Sequence, residues 1–184
     1  MKKIAGAAGV ILVTSFIFSS CGPRKTDEQN TAGASTLKTD KLKTEQELHA
    51  ANDSLYAALN AMFTGNLDPM NKLWSHSDNI TDMGPFGGRL TGWEAVGAEF
   101  KKEAGMKFGG RIVCKELYVN AGTDMGYTVC LEEGENMSAE GKPVVVSHRA
   151  TNIFHLENGQ WKLVHHQTDY SPQLEKATED RKKK

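Results

Sequence analysis

Two adjacent histidines close the run GQWKLVHHQTD near the end of the chain. If that run is a strand, alternation puts Trp161, Leu163, His165 and Gln167 on one face, and Lys162, Val164, His166 and Thr168 on the other. Side chains on opposite faces cannot ligate one metal together. No Cys/His spacing pattern supplies the three or four convergent ligands a metal needs, so no metal site and no cofactor are expected. His165 is the candidate acid or base, since an unperturbed imidazole titrates at about 6.5; a hydrogen-bonded residue at the rim of the sheet is its simpler reading. On the preceding run HRATNIF, Arg149 and Thr151 share one face, and His148 and Asn152 share the other. An arginine in a partly apolar setting requires an acidic partner or a bound anion, and its planar fork suits a carboxylate.

Cys114 and Cys130 flank the turn sequence NAGTD. A three-residue loop at 121–123 would set the two cysteines directly opposite one another, close enough for a disulfide in an oxidising compartment. Two buried, reduced thiols are the alternative. The aromatics Trp74, Phe86, Trp93 and Phe100 can line a pocket or simply fill a core.

Several elements must position these groups. In EQELHAANDSLYAALNAMFTGN, Leu48, Ala51, Leu55, Ala58, Leu59 and Met62 recur at three- and four-residue spacings, which predicts a helix ending near Gly65. DPMNKLW predicts a short second helix with Asp68 as cap and Pro69 at its first position. NITDM reads as a short strand and GPFGG as a loop. Thr91 is expected to cap a third helix, GWEAVGAEFKKEA, stopped by Gly105. Strands are expected at about 107–119, 123–133, 143–156 and 160–169, from their alternation and the turn residues between them. Helices first and sheet afterwards predict an α+β fold, three N-terminal helices packed on a strongly curved antiparallel sheet.

The flanks read differently. Lys2 and Lys3, a short apolar stretch and SSC predict a signal peptide over 1–20. FSSC before Gly22 resembles a bacterial lipobox in which Cys21 takes the lipid. Segment 21–43 is rich in Lys, Thr and Asp and reads as a disordered tether, and 172–184 as a charged tail, so the folded domain is placed at 44–171. The expected location is the bacterial cell envelope, periplasmic or outer-membrane, on a lipid anchor. Without Lys2 and Lys3 the chain has 20 basic and 23 acidic side chains, a net charge of about −3. No basic stripe interleaved with aromatics is present, which argues against nucleic acid.

The order of elements and the stretch GNLDPMNKLWSHSDNITDMGPFGGRLTGWEAVGAEF resemble the SnoaL-like, nuclear transport factor 2-like and ketosteroid isomerase families, and HRATNIFHLENGQWKLVHHQTD resembles the closing hairpin of SnoaL-like and calmodulin-dependent kinase II association domains. The resemblance covers about 44–171 and implies a cone-shaped fold with a cavity between sheet and helices. With Trp74 on the family aromatic, Asp82 takes the place of the isomerase general base. The oxyanion-hole positions of that chemistry fall at Ala58 and Thr151, neither of which can supply the phenol or the neutral carboxylic acid it uses. Tyr56, two residues from Ala58, is roughly 200° away round the helix and is expected to face elsewhere. The resemblance further implies that Arg149 points into the cavity and that Gln167 stands where relatives carry another histidine. The resulting expectation is a domain that binds a small, partly apolar, anionic ligand through Trp74, Trp93, Arg149, Thr151 and Gln167, with Asp82 and His165 as polar or catalytic groups. An isomerase, dehydratase or cyclase using Asp82 or His165 as base, and a dimeric interaction module with a vestigial pocket, are the alternatives; whether the chain is an enzyme is left open. A homodimer through the convex sheet is expected in each case.

Overall fold

Alternation along the long strands, and its interruptions, decide which side chains reach the interior. The structure, a computed structural model, describes residues 27–182. The expected signal peptide and Cys21 lie outside the described residues. Helix α1 spans Asp27–Met62 and is followed by α2 (Asp68–Leu73), the short strands β1 (Thr81–Met83) and β2 (Leu90–Thr91), and α3 (Trp93–Met106). Four long strands complete the domain: β3 (Arg111–Ala121), β4 (Met125–Met137), β5 (Pro143–Glu157) and β6 (Gln160–Thr168). They form one curved, unclosed six-stranded sheet in the order β2-β1-β6-β5-β4-β3. Its pairings are antiparallel except β1 on β6, which is parallel.

The helices cover one face of this sheet. Leu48, Leu55 and Met62 of α1, Val96 and Phe100 of α3, Trp74, Phe154 and Leu163 are all buried. Each such side chain contributes about 1.5–3 kcal/mol through removal of apolar surface from water. Close approach of α1 depends on Gly126, where a Cβ would come within 2.5 Å of the Leu48 side chain. Helix α3 is capped by Gly92 rather than Thr91, which belongs to β2, and runs one residue past Gly105.

Three expectations about the chain's organisation need correction. The segment 21–43, read as a disordered tether, is helical from Asp27 onward and continuous with the core-packing part of α1. Leu37 and Leu42 are exposed, and burial begins in earnest at Leu48. The segment's composition correctly denies it a core, but pairs such as Lys41–Glu45 at 3.7 Å and Lys43–Glu47 at 3.9 Å support a polar helix without one. The supposed charged tail forms α4 (Pro172–Lys182), and its Leu174 is buried. The approach to α4 is tied to the GPFGG loop: the Ser171 N–H donates to the Pro85 carbonyl at 2.8 Å, and the Tyr170 ring lies against Gly87, whose φ of +82° excludes most side chains. The third correction concerns the cysteines. Cys114 and Cys130 are free, because Ala121 pairs with Gly126 and a bulge follows between Lys115 and Tyr118, which sets Cys114 opposite Glu132 instead.

A second bulge matters more. On β6, His165 pairs with Ile153 but Leu163 pairs with Phe154, so Val164 is an extra residue. Trp161 and Leu163 point inward ahead of it, and His166 and Thr168 point inward after it.

Candidate functional site

The concave face of the sheet, α1, α3, the GPFGG loop and α4 enclose a cavity of about 50 Å3. A water needs roughly 10–15 Å3 on this kind of measure, so the space holds a few waters or a small organic group. Its apolar wall comes from Leu59 and Met62 of α1, Phe63 just after it, Phe100 of α3, Pro85 and Phe86 of the loop, Ile112 of β3 and Leu174 of α4. The polar wall is Asp82, Glu103, Glu132, Asn136, His148 and His166.

The sheet register explains how the polar groups meet. Asp82 pairs with His166, His166 with Asn152, and Asn152 with Thr128, so one inward row crosses β1, β6, β5 and β4. Four residues along, His148 on β5 pairs with Glu132 on β4. Asp82 is 8% exposed, and its Oδ1 is buried with no hydrogen-bond partner. Burial, reinforced by the charge of Glu99, pushes its carboxyl up to about 7. Burial also pushes the Glu132 carboxyl up to about 7; the Tyr56 hydroxyl, donating to Oε1 at 3.1 Å, opposes this, and the Asp82 charge adds to it. Tyr56 stays protonated far above its usual range, chiefly through desolvation and then through Glu132. Its oxygen lies 2.9 Å from Cys130 Sγ, whose own thiol burial pushes up to about 12.

The imidazoles are held neutral. Burial first, then the neighbouring His165 and His148, pulls His166 down to about 4. Asn152 donates to Asn52 at 3.2 Å and to Thr128 at 3.1 Å, and Thr128 donates to Asn52 at 2.7 Å, so the Asn152 oxygen is the acceptor for His166 Nδ1 at 2.7 Å. The proton therefore sits on Nδ1, and Nε2 of His166 is left as an acceptor. His148 is 6% exposed; burial lowers its pKa, and its Nδ1 has no hydrogen-bond partner, lying 4.0 Å from Glu132 Oε2. Two acids that exchange protons near neutrality thus face two neutral imidazoles in a mainly apolar space, an arrangement suited to orienting a small molecule and to moving protons on it.

Of the residues singled out from sequence, the structure places only Asp82 in this cavity, together with Phe86 and Phe100. The others require correction. His165 faces the opposite side of the sheet because of the bulge at Val164; it is half-buried there, its Nδ1 2.7 Å from Thr81 Oγ1, and burial lowers its pKa. Arg149 points outward and forks onto Asp169, with Nε to Oδ2 at 3.0 Å and an amino group to Oδ1 at 2.9 Å. Thr151 and Gln167 pair across β5 and β6 on that same outer face. Trp74 is core, its ring 5.4 Å from Phe100, and Trp93 stacks on His76 at 4.0 Å; neither lines the cavity. Among the described residues no arginine or lysine lines it, so Arg149, the group expected to hold an anionic ligand, is not part of the cavity. Tyr56, expected to face elsewhere, is buried and holds Glu132. Glu132, His148, His166 and the Asn52–Asn152 pair were missed. Their signal is the alternation Thr128-Cys130-Glu132 on the less apolar face of β4, and Val146-His148-Ala150-Asn152 on β5.

Comparison with known proteins places this geometry in a family. No curated protein matches the chain. Among solved structures, a candidate dehydratase of the nuclear transport factor 2-like family from Streptomyces avermitilis matches with a TM-score of 0.62 at 18% identity, covering 70% of this chain and 97% of that one. A candidate calcium/calmodulin-dependent protein kinase type II association domain from Thiobacillus denitrificans matches with a TM-score of 0.56 at 26% identity, covering 67% and 94%. A candidate aromatic ring hydroxylase from Novosphingobium aromaticivorans gives 0.59 at 13%, covering 70% and 90%. The profile of the SnoaL-like domain matches residues 48–170, and the chain belongs to that family.

Proposed function

We propose that the domain binds a small, mainly apolar molecule in the cavity and presents it to Asp82, Glu132, His148 and His166. The observation that supports this most is the pair of buried polar atoms without partners, Asp82 Oδ1 and His148 Nδ1, beside a mostly apolar wall. Unpaired buried polar groups each cost about 1–3 kcal/mol, a cost that a ligand meeting them would offset. Leu174 closes one side, so entry requires α4 to shift or the ligand to be small. Native mass spectrometry of the full chain, before and after denaturation, tests the reading: a released small molecule is expected, and its absence together with failure of small apolar probes to bind would refute it.

A second reading, proton-transfer catalysis of the isomerase or dehydratase kind, is favoured by one observation. Asp82 and Glu132 both sit near 7, where a carboxyl can serve as acid and as base. Asp82→Asn abolishes turnover in an enzyme but only changes affinity in a binder. The solved relatives also include association domains, and the outer face of β3 and β4 exposes Tyr118, Tyr127 and Val129. We therefore extend the proposal to a homodimer through that face, to be tested by light scattering. Lipidation at Cys21, with anchoring in the bacterial envelope, completes the proposal; detergent-phase partitioning of the chain and of Cys21→Ser tests it.

A further inference from the structure

We propose that the cavity's ligand is a small hydrophobic amine, held in its ammonium form between Asp82, Glu132 and His166. This rests on the preceding reading that the cavity binds a small molecule, and adds the ligand's chemical class.

The argument is one of charge and hydrogen-bond direction. Carboxyl groups approach the cavity from three elements: Asp82 on β1, Glu132 on β4 and Glu103 on α3, with Glu99 of α3 close enough to act on Asp82. Among the described residues no lysine or arginine lines the space, and burial disfavours the charged form of the two imidazoles in its wall. An anion would meet only repulsion. A neutral carbonyl needs a donor, which here is the proton of an unionised Asp82 or Glu132, because the buried phenol is already committed to Glu132; an ammonium engages the ionised forms instead. With Asp82 and Glu132 ionised, the wall offers mainly acceptors. His166 presents Nε2, because its Nδ1 proton is fixed on Asn152 at 2.7 Å. Asp82 presents an unpartnered Oδ1 on a side chain more than nine-tenths buried, and His148, equally buried and not one of the acids, presents an unpartnered Nδ1. An ammonium carries three donors and one positive charge, and it converts the mutual repulsion of the acids into attraction. Among the described residues no three His, Cys, Asp or Glu side chains are placed to hold a metal ion, and the wall is mostly apolar, so an organic cation fits where a metal does not.

The site's groups also set a proton signature. Binding of an ammonium favours the ionised carboxyls, so a proton leaves the site when binding occurs below about 7, and affinity rises between pH 6 and pH 8. The groups that face this change are Tyr56 from α1, Glu99 and Glu103 from α3, Cys130 and Glu132 from β4, His148 from β5 and His166 from β6.

The test titrates the full chain calorimetrically with three probes of matched shape, isobutylamine, isobutanol and isovalerate, in two buffers of different ionisation enthalpy. The amine is expected to bind at least about tenfold more tightly than the alcohol, as a charge-assisted hydrogen bond in place of a neutral one implies. Isovalerate is expected to bind weakest, and proton release to accompany the amine alone. Asp82→Asn should remove about that tenfold advantage of amine over alcohol; Glu132→Gln is the second variant should the first fail to fold. Equal binding of alcohol and amine would overturn the amine assignment while leaving the pocket reading intact. If no probe binds either the chain or Leu174→Ala, whose cavity is wider, the pocket reading falls and this inference with it.

Discussion

Asp82→Asn is expected to stabilise the protein at alkaline pH, an unusual result for a substitution inside a candidate site. The native carboxyl sits at about 7 against 3.8 for an unburied aspartate. Below 3.8 the group is protonated in both folded and unfolded chains and contributes no penalty. As the pH rises from 3.8 to about 7, the unfolded chain ionises freely while the folded chain does not, so native stability is lost across that window and stays lost above it. With about 1.4 kcal/mol per tenfold in proton affinity, the forfeited stability reaches about 4 kcal/mol, and context reduces the measurable part to about 2–4 kcal/mol. Asparagine keeps the shape of the neutral acid and cannot ionise. Urea denaturation should therefore show a gain of about 2–4 kcal/mol at pH 8 that shrinks to about 1–2 kcal/mol at pH 5. A loss of stability at pH 8, or a gain independent of pH, would mean that Asp82 is ionised at no cost beside a cation, and the account of the cavity's electrostatics would be wrong. Where the gain appears, it measures what the fold gives up to keep an acid in this cavity.

Other perturbations separate the inner face from the outer. Arg149→Ala should leave probe binding unchanged and the urea midpoint nearly so, because its ion pair with Asp169 is solvent-exposed; loss of binding in this variant would place the site on the wrong side of the sheet. Asn152→Leu strands Asn52, Thr128 and His166 without their shared partner and should cost about 2–4 kcal/mol in urea melts, against near-neutrality if waters fill the gap. After unfolding without reductant, both Cys114 and Cys130 should react with an alkylating agent, Cys130 slowly in the native state because its thiol stays protonated to about 12; a mass two hydrogens short, with neither thiol reactive, would restore the disulfide.

The element order and the inner helix face were legible, because apolar residues at three- and four-residue spacings have few other solutions: Leu48, Leu55, Ala58 and Met62 are all buried. The strand faces were harder to read, and β4 shows why. Its outward residues Tyr127, Val129 and Leu131 are more apolar than its inward ones, Thr128, Cys130 and Glu132. A wall that serves a polar cavity on one side and an apolar exposed patch on the other inverts the usual signal, so hydrophobicity assigns the wrong face. Alternation still separated Arg149 and Thr151 from His148 and Asn152 correctly. Alternation alone does not choose between the two sets, and Arg149 goes outward, where its guanidinium forks onto Asp169.

The two histidines show how little separates a correct pattern from a correct site. Strict alternation from Leu163 carries His165 inward and His166 outward; one extra residue at Val164 reverses both. The reversal brings the inward His166 opposite Asp82 on one neighbouring strand and Asn152 on the other. Asn152 then fixes the ring's proton on Nδ1, while His165, on the far face, meets Thr81 and Gln167. A bulge leaves little trace in composition, because its cost is an interrupted ladder and its gain lies in contacts between strands far apart in sequence. The chemistry of this cavity is thus set less by which residues the chain carries than by a single break in the register that delivers them.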